Sequence, residues 1–354
     1  MKKMTMSKTS RQNFITYAMV IVVYVIFQTL SATGNLSSLM QGLLVPLCTY
    51  SILAVSLNLT VGVLGELSLG HAGFMCVGAF SSAFFTACMK DTITNDLLRF
   101  ILAFIVAAVC AGICGILIGI PVLRLKGDYL AIVTLAFGEI IMNIINALYI
   151  GRDENGFHFS MKDSMSLNMS DSGKIIIKGA QGITGTARQS TFTIGIILLL
   201  LTLVVVLNLM NSRSGRAIMS IRDNRIAAES VGIDVTKFKL LAFTISAALA
   251  GVAGVLYAHN LSLLKVSVFD YNMSILVLVY VVLGGIGNIR GSIIATIILY
   301  ALPELLRGFA NYRMLIYAIV LIIMMLFNWA PAARDWRARM VEKFKGKKAK
   351  KEVA

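Results

Sequence analysis

Runs of about 20 apolar residues recur along the chain and constrain its fold more than any other feature; the clearest extends from Thr191 to Met210. A helix of about 20 apolar residues crosses the hydrocarbon core of a bilayer, whereas the strands of a membrane β-barrel alternate apolar and polar residues. The sequence therefore predicts an all-α, polytopic integral membrane protein with about ten transmembrane helices. We place these helices near residues 14–32, 38–58, 69–89, 97–120, 129–149, 191–210, 241–261, 272–286, 291–306 and 313–330.

Composition excludes the soluble classes of protein. Apolar residues make up 58% of the 354 residues and charged residues only 14%, whereas a soluble domain is about half apolar and a quarter charged. A soluble enzyme or nucleic-acid-binding module would lack polar surface, so we expect the lipid bilayer and no nucleic acid around the chain. The sequence holds no phosphate-binding loop and no recognisable catalytic motif. We therefore expect no enzyme activity, catalytic residue, bound cofactor or metal site.

Positive charge is concentrated in three stretches of the chain. Of the net charge of +15, residues 1–13 carry +4, residues 213–239 carry +3 and residues 334–354 carry +6. An excess of Lys and Arg marks cytoplasmic segments of membrane proteins. With ten spans, both termini, the segment 211–240 and the basic tail 334–354 are expected in the cytoplasm. The loop 150–190 is then expected outside.

This outer loop is polar and about 40 residues long. Loops of such length are usually functional or disordered. The first interpretation is a docking surface for an external partner, and the second is a solvated insert without a role.

Two glycine-rich stretches, residues 62–73 and 283–291, interrupt the apolar pattern. Glycine weakens helices and lets backbones approach closely. Interrupted apolar segments in both halves of a transporter are typical of broken helices that line a solute path. We therefore predict broken or re-entrant segments, with a break near residues 65–70. The alternative is close packing of small residues between ordinary helices.

Polar side chains inside the spans mark candidate path residues. Glu66, Ser68 and His71 lie in the first glycine-rich stretch, and ionisable groups within a membrane usually face a cavity or a partner. Glu139 lies in the fifth span, on one helical face with two asparagines; it has either a role towards the solute or hydrogen bonds between helices. His259, at the end of the seventh span, is expected at the membrane interface.

The segment 212–239 is amphipathic and contains a candidate capped helix. Asp223 or Asn224 can cap the helix at its start, and Gly232 can end it. A short helix that projects between two spans suits a groove on a partner; the alternative is a helix on the membrane surface. We expect the partner to contact seven residues of this segment: Arg222, Asp223, Asn224, Ala227, Ala228, Glu229 and Gly232.

Three stretches, residues 57–80, 121–146 and 214–257, resemble the M-type permease of the bacterial ABC importers for branched-chain amino acids. The middle stretch contains Leu-Arg-Leu-Lys-Gly-Asp-Tyr-Leu-Ala-Ile-Val-Thr-Leu-Ala-Phe-Gly-Glu-Ile, which separates the M-type from the shorter H-type permease. The resemblance spans most of residues 40–330. Residues 151–178 look like an insertion.

The resemblance implies that residues 1–354 form a single transmembrane permease domain of an ATP-driven importer in the inner or cytoplasmic membrane of bacteria. The implied substrates are leucine, isoleucine and valine. The implied partners are a second homologous permease, two ATPase subunits that bind the ATP, and an external solute-binding protein. The segment 211–240 would then be the coupling helix that docks an ATPase subunit.

Two other functions stay open on the sequence. An ion-coupled secondary transporter would use Glu66, His71 and Glu139 as coupling groups and would need no docking helix. A related ABC permease would carry urea or amides instead of branched-chain amino acids.

Overall fold

The computed structural model describes residues 8–34, 36–125, 127–154, 156–170, 173–309 and 312–329, so the basic tail 334–354 lies outside the described residues. Ten helices follow the ten predicted spans: α1 Lys8–Ala32, α2 Ser38–Asn58, α3 His71–Cys88, α4 Asp96–Val122, α5 Asp128–Ala147, α6 Phe192–Asn211, α9 Val235–Ala258, α10 Tyr271–Gly284, α11 Ile289–Leu305 and α12 Arg313–Trp329. Within the described residues, nine segments are long and apolar enough to cross a membrane, and the apolar part of α12, Met314–Leu326, is shorter. The predicted polytopic helical fold is confirmed.

Between α6 and α9 lie two short helices, α7 Arg213–Asp223 and α8 Arg225–Ser230. Polar caps fix where several helices begin, because a side-chain oxygen satisfies backbone N–H groups that lack a partner in the first turn. Four side chains do this for α4, α9, α10 and α11, respectively: Asn95, Asp234, Asp270 and Asn288.

The connection between α5 and α6 adds a small antiparallel sheet to the helical fold. It contains β1 Tyr149–Asp153, β2 Gly156–Ser160 and β3 Lys174–Lys178, in the order β2-β1-β3. A second pair joins β4 Ile183–Thr184 to β5 Leu263–Leu264, which follows α9. Most of the predicted insertion is therefore folded, and sequence pattern alone had not indicated these strands.

Helix α9 lies at the centre of the core and packs against α2, α3 and α4. Small residues bring the backbones together: a side chain on Gly254 would lie 2.2 Å from the carbonyl oxygen of Met75, and one on Gly78 would lie 2.3 Å from that of Gly251. Close approach through small residues is the usual way in which membrane helices associate. By contrast, only 11% of the α1 span is buried, whereas 94% is buried in the span that begins with α2.

The predicted break in the first glycine-rich stretch is confirmed. After α2 the chain forms a π-helical turn, Leu59–Leu64, and residues 65–70 are not helical before α3 begins at His71. Gly65 has a φ of 82°, a left-handed conformation that costs a glycine little. We call residues 59–70 the helix break.

The connections between helices gather at two opposite ends of the bundle. At one end, Arg222 of α7 and Gly287 of the α10–α11 connection both contact the region where α2 ends. At the other end, β4 pairs with β5, and Arg152 of β1 donates a hydrogen bond to the carbonyl oxygen of Cys88 at the end of α3. This grouping is the one that successive membrane crossings require.

Candidate functional site

The two glycine-rich stretches meet at the helix break. The side chain of Asn58 donates a hydrogen bond to Ser292 Oγ (2.8 Å) and accepts one from the Gly287 backbone N–H (2.9 Å). A side chain on Gly62 would lie 2.4 Å from the Gly287 nitrogen. Glycine in both stretches therefore serves close backbone contact, which is the packing interpretation offered by the sequence. In the first stretch, this packing and the break occur together.

Glu66 forms an ion pair with Lys239 in the first turn and a half of α9. Both side chains are largely buried, with 17% of Glu66 and 7% of Lys239 exposed. The carboxylate is therefore compensated within the chain. Sequence reasoning missed this partner, because Lys239 counts among the basic residues of the cytoplasmic segment when the residues are read in order.

His71 and Ser68 belong to a separate polar network. The His71 Nε2 atom lies 2.8 Å from Ser246 Oγ, which donates a hydrogen bond to the carbonyl oxygen of Ser56 (2.5 Å). The His71 Nδ1 atom lies 3.4 Å from Ser68 Oγ. This network joins α2, α3 and α9 immediately beside the helix break, and it fixes the first residue of α3.

Glu139 lies on α5 and accepts a hydrogen bond from the Tyr271 backbone N–H at the start of α10 (3.0 Å). A carboxylate at this position also interacts favourably with the positive end of the helix dipole. Asn143 donates to the carbonyl oxygen of Glu139 within the same helix, and Asn143 and Asn146 are both exposed. The four candidate path residues thus belong to three separate sets of contacts. Their role in solute transfer stays a prediction.

His259 is fully buried within the protein, so its ring meets neither lipid nor water; its position at the membrane interface stays a prediction. Its Nδ1 atom lies 3.1 Å from the Val255 carbonyl oxygen, its Nε2 atom lies 3.1 Å from Thr86 Oγ1, and its ring packs edge-on against Phe100. The backbone of Gln189 also donates to the carbonyl oxygen of His259. The chain that precedes α6 therefore covers the end of α9.

A cavity of about 690 Å³ lies at the end of the bundle where the sheet is found, between α3, α4 and the sheet. Its charged lining is mainly basic and includes Arg99, Arg152, Lys174 and Lys178. The sheet is held to the helices by Arg152, whose guanidinium also lies 5.7 Å from the centre of the Phe157 ring.

Exposed apolar side chains lie on β2 and on the loop that follows it, among them Phe159, Met161 and Met165. The loop also has local order. The Ser166 backbone N–H bonds to Asp163, which holds the pKa of that carboxyl below its ordinary value. Apolar side chains on this ordered loop favour the docking interpretation over a featureless insert.

The segment between α6 and α9 contains the predicted capped helix. Asn224 accepts a hydrogen bond from the Ala227 backbone N–H (3.1 Å) at the start of α8, and Gly232 follows its end with a φ of 83°. Of the two candidate caps, Asn224 is therefore the one used. Asp223 is the last residue of α7.

Ala228 does not face outward, which contradicts the expectation that a partner contacts it. Its side chain is 3% exposed and packs with Ile221 and Val235, because α8 folds back against α7 and the start of α9. The outward apolar side chains are instead Ile226, 79% exposed, and Val231, 74% exposed. Together with the exposed Ala227 they form the candidate docking face, which we define as Ile226, Ala227 and Val231.

Arg222 and Arg225, where α7 meets α8, both form bonds within the chain. Arg222 donates from Nη1 to the Gly62 carbonyl oxygen in the helix break (2.8 Å) and from Nε and Nη2 to Asp223. Arg225 pairs with Glu229 across one turn of α8 (2.9 Å). Arg222 therefore connects the segment directly to the helix break, a contact that the sequence pattern had not indicated.

Comparison with known proteins agrees with this architecture. Residues 39–327 match the family described as the permease component of the branched-chain amino acid transport system. The chain is 34% identical over 314 residues to the high-affinity branched-chain amino acid transport system permease protein LivM of Salmonella typhimurium, covering 86% of this chain and 72% of the relative. The corresponding LivM protein of Escherichia coli K12 is 33% identical over the same coverage.

The permease protein LivH of Salmonella typhimurium is more distant, at 24% identity over 285 residues, 78% of this chain and 89% of the relative. No solved structure matches the chain. The greater likeness to LivM agrees with the M-type resemblance of the middle stretch. The match over most of the chain and the helical membrane fold lead to one conclusion: this multi-pass membrane protein belongs to the family of permease components of the branched-chain amino acid transport system.

Proposed function

We propose that the chain is the M-type permease subunit of an ATP-driven importer that carries leucine, isoleucine and valine across the bacterial cytoplasmic membrane. Its partners are a second homologous permease, two ATPase subunits that bind the ATP, and an external solute-binding protein. The chain itself binds no cofactor. Family membership and the names of the LivM and LivH relatives support this assignment.

The observation that carries the proposal is the attachment of the docking face to the helix break. Arg222, at the end of α7, bonds to Gly62, and Lys239, at the start of α9, bonds to Glu66. A force applied to α8 is therefore transmitted to the segment between α2 and α3, through Arg222 before α8 and through Lys239 after it. An ATPase that moves α8 would therefore move the helix break between α2 and α3.

The polar contacts weigh against an ion-coupled secondary transporter. Such a transporter needs ionisable groups that exchange a cation or proton with water during transport. Here Glu66 is paired with Lys239 and the ring of His71 lies between two serines. A urea or amide permease differs only in its solute.

Uptake by proteoliposomes tests the proposal. Vesicles should contain both permeases, with or without the ATPase subunits, and the binding protein should be supplied outside. We expect ATP-dependent uptake of leucine, isoleucine and valine, with urea and amides excluded. Uptake that follows an ion gradient without the ATPase subunits would contradict the proposal.

The orientation of the chain gives one testable prediction. Both termini and the segment 211–240 are basic, so the end of the bundle that holds the docking face is expected in the cytoplasm. On a cysteine-free background, Met165→Cys should react with an impermeant thiol reagent in intact cells, and Arg216→Cys should react only after permeabilisation. Both positions are exposed, so the reverse pattern would invert the topology.

A second prediction concerns the docking face. Ile226→Glu places a charge where an apolar anchor is expected, and loss of an anchor at an interface typically costs about 2 kcal/mol or more. We expect binding of the ATPase subunits to weaken by at least about tenfold, while the amount of folded permease in the membrane stays unchanged.

Two variants serve as controls for this experiment. Arg225→Ala removes an exposed ion pair with Glu229, worth about 1 kcal/mol or less, and should leave binding nearly normal. Ala228→Trp overfills the small core beneath α8 and should destabilise the segment itself. Normal ATPase binding by Ile226→Glu would exclude this face as the docking element.

A further inference from the structure

A groove of about 310 Å³ lies between α1 and the rest of the bundle. Its walls come from four membrane spans, α1, α2, α6 and α11. We call it the α1 groove and define it by six wall residues: Met19, Val23, Phe27, Ser51, Ile196 and Ile297. We propose that the α1 groove holds one acyl chain of a phospholipid whose anionic headgroup lies beside Arg290.

The walls exclude water as the occupant. Apart from Ser51 and the thiol of Cys48, the side chains that line the groove are hydrocarbon or thioether groups. A buried water needs two to four polar partners, and these walls do not supply them. The groove lies between membrane-spanning helices, where the surrounding medium is lipid hydrocarbon. An acyl chain is therefore the group that fills the space.

The width favours an acyl chain over a protein helix. A helix is about 10 Å wide with its side chains, so three turns occupy roughly 1,200 Å³. The groove is smaller than that even when all of its empty space, about 860 Å³, is counted. It lies behind α1, of which only 11% is buried, so α1 already fills the position that a neighbouring helix would take.

The groove extends along α1 and α11 from the level of Arg290. The wall residues of α1 extend from Met19 to Phe27, about 12 Å along the helix axis. Arg290 lies one turn before Ile293 and Ile294, which also line the groove. From the level of Arg290 the groove therefore extends about 15 Å along the helix axes, as far as Phe192 at the start of α6, a length that one acyl chain can fill.

The positive charge of Arg290, at the end of the groove nearest to α11's first residues, favours an anionic headgroup. Arg290 donates a hydrogen bond from Nε to Thr16 Oγ1 (2.5 Å) and so ties α11 to α1 just below the groove. Basic groups beside helix ends on the cytoplasmic side attract anionic lipid headgroups. A phosphatidylglycerol is therefore expected to bind better than a phosphatidylcholine.

Filling the groove tests the acyl-chain site. Val23→Trp places an indole in the groove, whereas Val22→Trp, one residue earlier, places it on an exposed face of the same helix. Native mass spectrometry of the full chain in mild detergent should show one retained phospholipid in the wild type and in Val22→Trp. The retained fraction should fall by about tenfold in Val23→Trp. If Val23→Trp misfolds, Ser51→Leu fills the groove from the opposite wall.

Adding lipid back tests the headgroup. After delipidation, phosphatidylglycerol should raise the unfolding midpoint of the wild type more than phosphatidylcholine with the same acyl chains. In Arg290→Gln the two lipids should act equally. Lipid retention by Val23→Trp equal to that of Val22→Trp would overturn the proposal. So would a preference for phosphatidylglycerol that survives in Arg290→Gln, or cross-linking of Val23→Cys to a helix of the second permease in the assembled importer.

Discussion

Replacing Lys239 with methionine is expected to destabilise the permease by about 3–5 kcal/mol, because the Glu66 carboxylate then stays buried without its counter-charge. The pair has little access to water, with 7% of Lys239 and 17% of Glu66 exposed. Glu66→Gln alone should cause a loss of similar size, since it leaves the Lys239 ammonium uncompensated. The measurement is the unfolding midpoint of each full-length variant in one detergent.

The double variant Lys239→Met with Glu66→Gln is the decisive control. Replacing a buried pair by neutral side chains of similar volume is often close to neutral for stability, so the double variant should recover most of the loss. Recovered stability without uptake would assign Glu66 a direct part in solute transfer. Recovery of both would make the pair structural. Continued instability would show that the buried charge is not the cause.

Gly62→Ala should abolish transport and lower stability by several kcal/mol. The added carbon would lie 1.9 Å from Asn58 Oδ1 and 2.4 Å from the Gly287 nitrogen. The backbone of Gly287 must move, which breaks its hydrogen bond to Asn58. Overfilling a packed site costs about 1–3 kcal/mol, and leaving a buried donor unsatisfied costs about 1–3 kcal/mol more.

Gly42→Ala supplies a matched control in the same apolar span. A side chain at Gly42 meets nothing within 4 Å, and alanine is favoured over glycine in a helix by about 1 kcal/mol. This variant should therefore keep full uptake and at least the wild-type unfolding midpoint. Equal uptake and equal unfolding midpoints of Gly62→Ala and Gly42→Ala would mean that the close contact between Gly62 and Gly287 contributes nothing to transport or stability.

The sequence was sufficient for the features that depend on local pattern. The spans follow from runs of apolar residues, and the break at 65–70 follows from glycine, which disfavours a continuous helix. A cap at Asp223 or Asn224 and a helix end marked by Gly232 likewise follow from residue type and spacing. Each of these features is decided by residues a few positions apart.

The features that the sequence did not reveal depend on distant contacts. Lys239 and Glu66 are 173 positions apart, so their pairing requires the packing of α9 against the helix break. Ala228 is buried only because α8 folds back on its neighbours. His259 is buried because the chain before α6 crosses the end of α9. Residue type alone does not determine which side chain a later segment will cover.

The chain enters the sheet of β1, β2 and β3 and leaves it at neighbouring positions. Tyr149 lies directly opposite Lys178 in the strand register, and the Gly179 backbone N–H donates a hydrogen bond to the carbonyl oxygen of Leu148. The intervening residues therefore form a closed excursion that imposes no spacing on α5 and α6. Such a unit could be lengthened or shortened without moving α5 and α6, so this loop and the helices can change independently of each other.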